Sequence, residues 1–320
     1  MFRQNHPHIR KDSMNGFKIL VSLTTKDNDY QRAQAASVET VARRMGAGIE
    51  IVYADNDSVN QSQQILSAIQ KKNHGLAAVI TEPVGTAMVQ VAETAVKMGI
   101  AWGVLNRTTD YTARLRQSSG VPVFEVDANQ EAIGHIHAAQ LAKLFPGGGA
   151  VLYIEGPVAG SAAKLRTQGL LARKPANIEL KMIKASWTED SAQKAVASWL
   201  KLRTSRSGDF VAVAAQDDSM AMGARKAFSV HPDRAEGAAW LSLPHLGCDG
   251  TVEVGQQLVK RGQLAATVVY PLTAGIALEL YLKAKSSNAP IPERTLAAPV
   301  SHPSVEMLHP LTLAHQVSGN

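Results

Sequence analysis

Asp217 and Asp218 stand side by side at the end of the apolar run Phe210–Ala215, in the stretch FVAVAAQDDSMAMGARKAF. Adjacent carboxylates can accept hydrogen bonds from the hydroxyls of a ligand. They can equally accept from the orphan N–H groups of a helix start, whose dipole favours negative charge. The short apolar run predicts a buried strand, and Ala221, Met222, Ala224 and Arg225 follow at helical spacing, so a helix begins near Asp217. Capping and ligand contact both remain open for Asp218. For Asp217 ligand contact is the preferred reading, because loops at the carboxyl ends of parallel strands are where open α/β sheets bind ligands.

Other chemistry finds no support in the residue types. Neither G-x-S-x-G nor H-E-x-x-H occurs, and LTTKDNDYQ, after the first expected strand, has no glycine for a dinucleotide loop. Gly147-Gly148-Gly149 precedes a strand, the wrong place for a phosphate loop. His135 and His137, two apart on an expected helix, do not share a face. Cys248 is the single cysteine, which excludes an internal disulfide. It reads as a small buried hydrophobe, since a reactive thiolate needs an electropositive setting. No catalytic residue, cofactor or metal is expected, and the chain does not read as an enzyme.

The elements that must position these residues follow from the rest of the chain. Its 320 residues suffice for two domains, and 45% hydrophobic with 19% charged residues fits a globular protein. No stretch approaches the ~20 apolar residues of a membrane span, so no stable membrane insertion is expected. The net charge is +6. Its clusters (Arg43-Arg44, Lys71-Lys72, Lys260-Arg261) fall on helices or their ends, which predicts solvated faces rather than a nucleic-acid surface. Residues 1–17 form a polar extension. Met1–Gly16 is His- and Arg-rich with no apolar core, so no secretory signal is visible, and a cytoplasmic location follows if this is the native start.

From Lys18 strand and helix alternate. KILVSLTT, IEIVYAD, LAAVIT and IAWGVLN read as strands. Helices are expected at Tyr30–Met45, Val59–Lys72 and Gly85–Met98. Arg107–Gly120 lacks apolar periodicity and reads as a loop. A second series runs VPVFEVD, a helix over Asn129–Leu144, AVLYIEG, a helix over Ser161–Ala172, IELKMIKAS, a helix over Glu189–Leu202, and FVAVAA. After that strand and the helix begun near Asp217 come AWLSLPHLGCD as a strand segment, helix Thr251–Lys260, strand LAATVVY, helix Leu272–Ala284 and a proline-punctuated tail. Alternation at this spacing implies parallel sheets with right-handed crossovers, and its repetition implies two similar lobes.

FVAVAAQDDSMAMGARKAF, LGCDGT and GQLAATVVYP together resemble the type I periplasmic binding proteins of the ribose-binding group, which share their fold with the effector domains of lactose-repressor-type regulators. The opening strand with Asn28 and Tyr30, then AVITEPVG, Asn106-Arg107, Asp127-Ala128-Asn129 and AGSAAKLRTQG fall in the family's order. The resemblance spans Lys18 to about Val300. It implies two Rossmann-like α/β lobes joined by a three-crossing hinge and closing over a small ligand. The N-terminal lobe would comprise 18–126 plus 271–299 and the C-terminal lobe 127–270 plus 300–320.

The resemblance carries the ligand-binding role to Thr24, Asn28, Tyr30, Gln31, Glu82, Asn106 and Arg107 in the first lobe, and to Arg166, Trp187, Asp217, Asp249 and Tyr270 in the second. A sugar or polyol needs carboxylates and amides for its hydroxyls, a guanidinium for paired oxygens and rings for its C–H faces. Several positions depart from the ribose pattern. Tyr30 and Gln31 replace a pair of phenylalanines, Glu82, Asn106 and Asp217 replace Asn, Asp and Asn, Cys248 replaces an aromatic residue, and Tyr270 replaces a glutamine. These changes argue against ribose itself, and the three carboxylates favour a neutral polyhydroxylated or cationic ligand. Trp187 can alternatively cover the lobe surface, Tyr30 can staple a helix start, and Asp249 can cap the next helix. The implied protein is a periplasmic monomer serving an ABC permease or a membrane sensor. The rival reading is the ligand-sensing domain of a regulator lacking its DNA-binding head.

Overall fold

The computed structural model describes residues 18–71, 75–86, 88–157, 161–202 and 205–311. The polar stretch Met1–Gly16, Lys72, Ala159-Gly160 of AGSAAKLRTQG and the end of the tail lie outside the described residues. The chain divides into two compact units, one of Met1–Asp127 and Leu272–Ala297, the other of Ala128–Pro271 and Ala298–Asn320. It passes from one to the other at Asp127/Ala128, at Pro271/Leu272 and at Ala297/Ala298.

In the first unit, strands β1 (Lys18–Leu23), β2 (Gly48–Tyr53), β3 (Leu76–Thr81), β4 (Ala101–Leu105) and β5 (Val123–Ala128) pair in parallel, and β11 (Arg294–Ala297) completes the order β11-β5-β4-β3-β1-β2. Alternation along β1 sends Ile19, Val21 and Leu23 to one face and Leu20 to the other. The first face is covered by α1 (Asp29–Met45) and α11 (Thr273–Ser287), through Val38, Val41, Leu278 and Leu282. The second lies under α2 (Ser58–Gln70), α3 (Val89–Lys97) and α4 (Thr112–Ser118), through Ile65, Ile69, Ala92 and Leu115. Helices on both faces are what let the strands be apolar on both.

The second unit repeats the plan. Strands β6 (Gly149–Glu155), β7 (Ile178–Lys184), β8 (Phe210–Ala215), β9 (His245–Asp249) and β10 (Ala266–Val269) are parallel, and β12 (Val300–His302) pairs antiparallel with β10 in the order β12-β10-β9-β8-β6-β7. One face packs on α5 (Gln130–Leu144) and α6 (Ser161–Arg173). The other packs on α7 (Glu189–Trp199), α8 (Asp218–Ser229), α9 (Arg234–Ser242) and α10 (Gly255–Lys260). In each sheet the strand order reverses beside its first strand, which opens a crevice at the carboxyl ends of the strands.

Four sequence expectations require correction. The expected loop 107–120 contains α4, a short helix whose Arg116 reaches the carbonyls of Val123 (2.7 Å) and Ile291 (2.6 Å). It is held by tertiary contacts rather than by an apolar stripe. AWLSLPHLGCD is a strand only from His245 onward, because α9, capped by Asp233, carries Trp240 into an aromatic cluster stacked on Phe228 at 4.9 Å. The helix expected over 251–260 begins at Gly255, since Asp249 and Gly250 both take positive φ, 113° and 56°, and turn the chain first. The tail holds the edge strands β11 and β12.

Candidate functional site

The first unit gathers its candidate residues after the ends of β1, β3 and β4. Asn28 caps α1, its side chain accepting from the backbone N–H of Gln31 at 3.2 Å. That cap fixes the first turn, where Tyr30 and Gln31 are both buried. Gln31 Nε2 donates to Glu82 Oε2 at 2.9 Å, while its Oε1 accepts from the backbone N–H of Thr24 at 3.3 Å. Asn106, in the left-handed region at φ 56°, donates to the Tyr30 hydroxyl at 3.2 Å and accepts from Thr273 at 2.8 Å. All seven expected positions of this unit are thereby linked, Arg107 through its charge on Glu82. Burial pushes the Glu82 carboxyl above its ordinary value of 4.5, outweighing the bonds from Gln31 and Asn106 and the charge of Arg107 that pull it down. Among the described residues no hydrogen bond or ion pair engages the half-buried Arg107 guanidinium.

The second unit is built around Arg166. Its side chain is 5% exposed, with Nε donating to Gln130 Oε1 at 2.9 Å and Nη1 reaching the Gln216 carbonyl and, at 3.6 Å, Cys248 Sγ. The guanidinium carbon lies 5.2 Å from the Trp187 ring centroid and 5.0 Å from that of Tyr270, a double cation–π arrangement. Burial works against the charge and is the largest single influence on it. Cys248, Tyr270, Asp249 and Asp217 together outweigh burial and raise the guanidinium's proton affinity. All five expected positions of this unit therefore meet at one cation.

Local backbone chemistry explains how they arrive. Asp217 is the N-cap of α8 and accepts from the Met220 N–H at 2.5 Å. Capping and a place beside Arg166 are thus compatible. Asp218 is committed inward, accepting from the Gly250 N–H at 2.8 Å and the Thr267 hydroxyl at 2.7 Å. Asp249 holds φ 113°, a strained value for a side-chain-bearing residue and the kind of outlier that clusters at functional sites. Trp187 lies against the backbone of Gly156, where an added Cβ would fall 2.2 Å from the ring. Cys248 is fully buried, and burial drives its thiol above the ordinary value, so it is no nucleophile.

Four glutamines positioning these groups escaped the sequence reading. Gln61 Nε2 donates to the Glu82 carbonyl at 2.9 Å while its Oε1 accepts from the Val84 N–H at 2.8 Å, pinning the loop after β3. Gln216 does the same after β6, accepting from the Gly156 N–H at 2.9 Å and donating to Tyr153 and Thr167, both at 2.9 Å. Gln34 bridges Tyr30 and Thr273, each at 2.9 Å, and Gln130 bridges Arg166 and Tyr270. A signal was present in α2, where Gln61 shares the buried stripe i, i+4, i+8 with Ile65 and Ile69. A polar residue on such a stripe must find buried partners. Among the described residues, no cluster of His, Cys, Asp and Glu could hold a metal ion, and no helix is long and apolar enough to cross a membrane.

A family model described as "Periplasmic binding protein domain" matches residues 19–274. The chain is 26% identical over 278 residues to a protein of Rhizobium meliloti provisionally named as rhizopine-binding, covering 81% of this chain and 85% of that one. It is 23% identical over 257 residues to the D-apiose import binding protein of Actinobacillus succinogenes, covering 79% and 76%. A solved structure of an ABC transporter periplasmic solute binding protein from A. succinogenes with bound D-allose matches at TM-score 0.75 and 21% identity, over 89% of this chain and 96% of that one. At that identity the structural likeness speaks for the fold.

Proposed function

Because the chain belongs to the periplasmic binding protein family, we propose that it is a solute-binding protein that captures a sugar or related polyol with residues of both units, by hinge closure, and delivers it to an ABC importer. The observation that carries this reading is the cluster around Arg166. A guanidinium flanked by two rings and two carboxylates offers a polyol paired donors, acceptors and apolar faces within one unit. Gln31, Glu82, Asn106 and Arg107 offer donors and acceptors in the other unit. Ligand contact by groups of both units stabilises a closed state by their differential affinity for it, and no bond of the ligand is made or broken. The relative named for D-apiose import supports a sugar ligand and an importer partner, and the family's description supports a periplasmic location.

The test is thermal unfolding against pentoses, hexoses, inositols, amino sugars and anionic controls. A ligand at 100 times its Kd adds ~2.7 kcal/mol to the folded state. One neutral or cationic member should raise Tm, and Arg107→Ala or Asp249→Ala should abolish that shift. A response confined to anions or nucleotides would refute the assignment.

A further inference from the structure

Gln130 touches two of the groups assigned to the ligand and sits beside a crossing between the units. It is 3% exposed and is the first residue of α5, two residues past Ala128. Its Oε1 accepts from Arg166 Nε at 2.9 Å, and its Nε2 donates to the Tyr270 hydroxyl at 2.8 Å. Tyr270 immediately precedes the crossing at Pro271/Leu272. One amide therefore bridges the unit-2 ends of two crossing segments, and it does so through Arg166's immediate neighbours. The polarity is enforced, because guanidinium only donates and the Gln130 oxygen must face it. The amide nitrogen is thereby turned to Tyr270.

The helices around this bridge have little freedom to slide. A Cβ at Gly134 would lie 2.1 Å from the carbonyl oxygen of Arg166, and one at Gly169 would lie 2.2 Å from that of Glu131. α5 and α6 thus meet backbone to backbone at the residue that carries the guanidinium. A displacement of the chain at Ala128 reaches Arg166 through this contact and reaches Tyr270 through the Gln130 amide.

We infer that Gln130 is a positioning residue that couples the Arg166–Tyr270 pair to the crossings at Asp127/Ala128 and Pro271/Leu272, so that occupation of Arg166 and the geometry of those crossings bias one another. The coupling rests on the proposed ligand role of Arg166 for its purpose, while its mechanical part holds without any ligand.

The experiment is hydrogen exchange on the full ligand-free chain, comparing wild type, Gln130→Leu and Gln130→Glu. The amide of Tyr270, which donates to the Asp249 carbonyl at 3.0 Å, and those of Ala132 and Ile133, bonded to Asn129 at 3.0 and 3.2 Å, report on the two segments. Gln130→Leu should speed exchange at these amides by about tenfold or more while leaving β1–β4 unchanged, the size expected for loss of a buried bond to a charged group. Gln130→Glu, which keeps an oxygen towards Arg166 and can accept from Tyr270, should restore protection. Unaltered exchange in a folded Gln130→Leu protein would overturn the inference, as would a folded Gln130→Glu protein that exchanges like Gln130→Leu. The same variants are then melted with and without D-allose and myo-inositol. If neither compound, nor any member of the panel above, shifts the wild-type Tm, the ligand reading fails while the exchange result still decides the role of Gln130.

Discussion

Glu82 and Arg107 show how neighbouring charged residues acquire different roles. Glu82 receives Gln31 and Asn106 yet remains destabilised as an anion, because desolvation exceeds what those donors return. Its folded proton affinity lies above the unfolded one, so between the two values the native state binds more protons. Stability contributed by this residue is therefore present at low pH and is lost as pH rises through and above 4.5. Glu82→Gln removes that loss. The variant should be more stable than wild type at pH 7 and the two should converge towards pH 4, as read by Tm across that range. A lower Tm at pH 7 for the variant would contradict the account. Arg107, by contrast, has no hydrogen bond or ion pair to lose within the described residues, and its charge acts on Glu82 in the opposite sense to burial.

At the scale of elements, glycine decides how close helices come. α5 is capped at Asn129 and α6 starts at Ser161, and nothing in either pattern of apolar residues requires contact between their backbones. Gly134 and Gly169 allow it. Gly134→Ala should lower stability by about 1–3 kcal/mol, the range for overpacking a close-packed site. It should also weaken any ligand that relies on Arg166, because the clash is with the Arg166 carbonyl itself. Chemical denaturation and a binding titration on the same variant check both effects; a fully stable variant would show that the helices separate at no cost. In α9 Trp240 meets Trp199, Phe210 and Phe228 at centroid distances of 5.5, 5.0 and 4.9 Å. A single aromatic residue among alanines carries no period, so the local sequence around Trp240 does not distinguish this helix from a strand.

Across the whole molecule the two units share one strand order, and the second holds two buried histidines. His137 and His245 are fully buried in the second unit, with burial pushing their values down to about 4 and about 3 from 6.5. The unfolded chain therefore binds protons that the folded unit refuses, and stability falls as pH drops below 6.5, by up to ~1.4 kcal/mol per pH unit for each fully titrating histidine. Calorimetry between pH 7 and pH 4.5 should show a transition moving to lower temperature. His245→Gln should reduce that dependence, and an unchanged profile would count against the assignment.

The sequence by itself determined the alternation of strand and helix, the duplication, and most positions at the carboxyl ends of strands. Apolar period and turn chemistry are local, and an end-of-strand acid such as Asp217 is legible beside its own apolar run. Only the tertiary structure decided which side chains meet. Gln130 lies 36 residues from Arg166 and 140 from Tyr270, and a glutamine on a buried stripe announces a need for partners without naming them. The same holds for α4, which tertiary bonds to Val123 and Ile291 sustain in a segment with no helical period of its own. Burial and hydrogen-bond satisfaction are properties of the packed chain, and within each unit they convert scattered polar residues into a cluster.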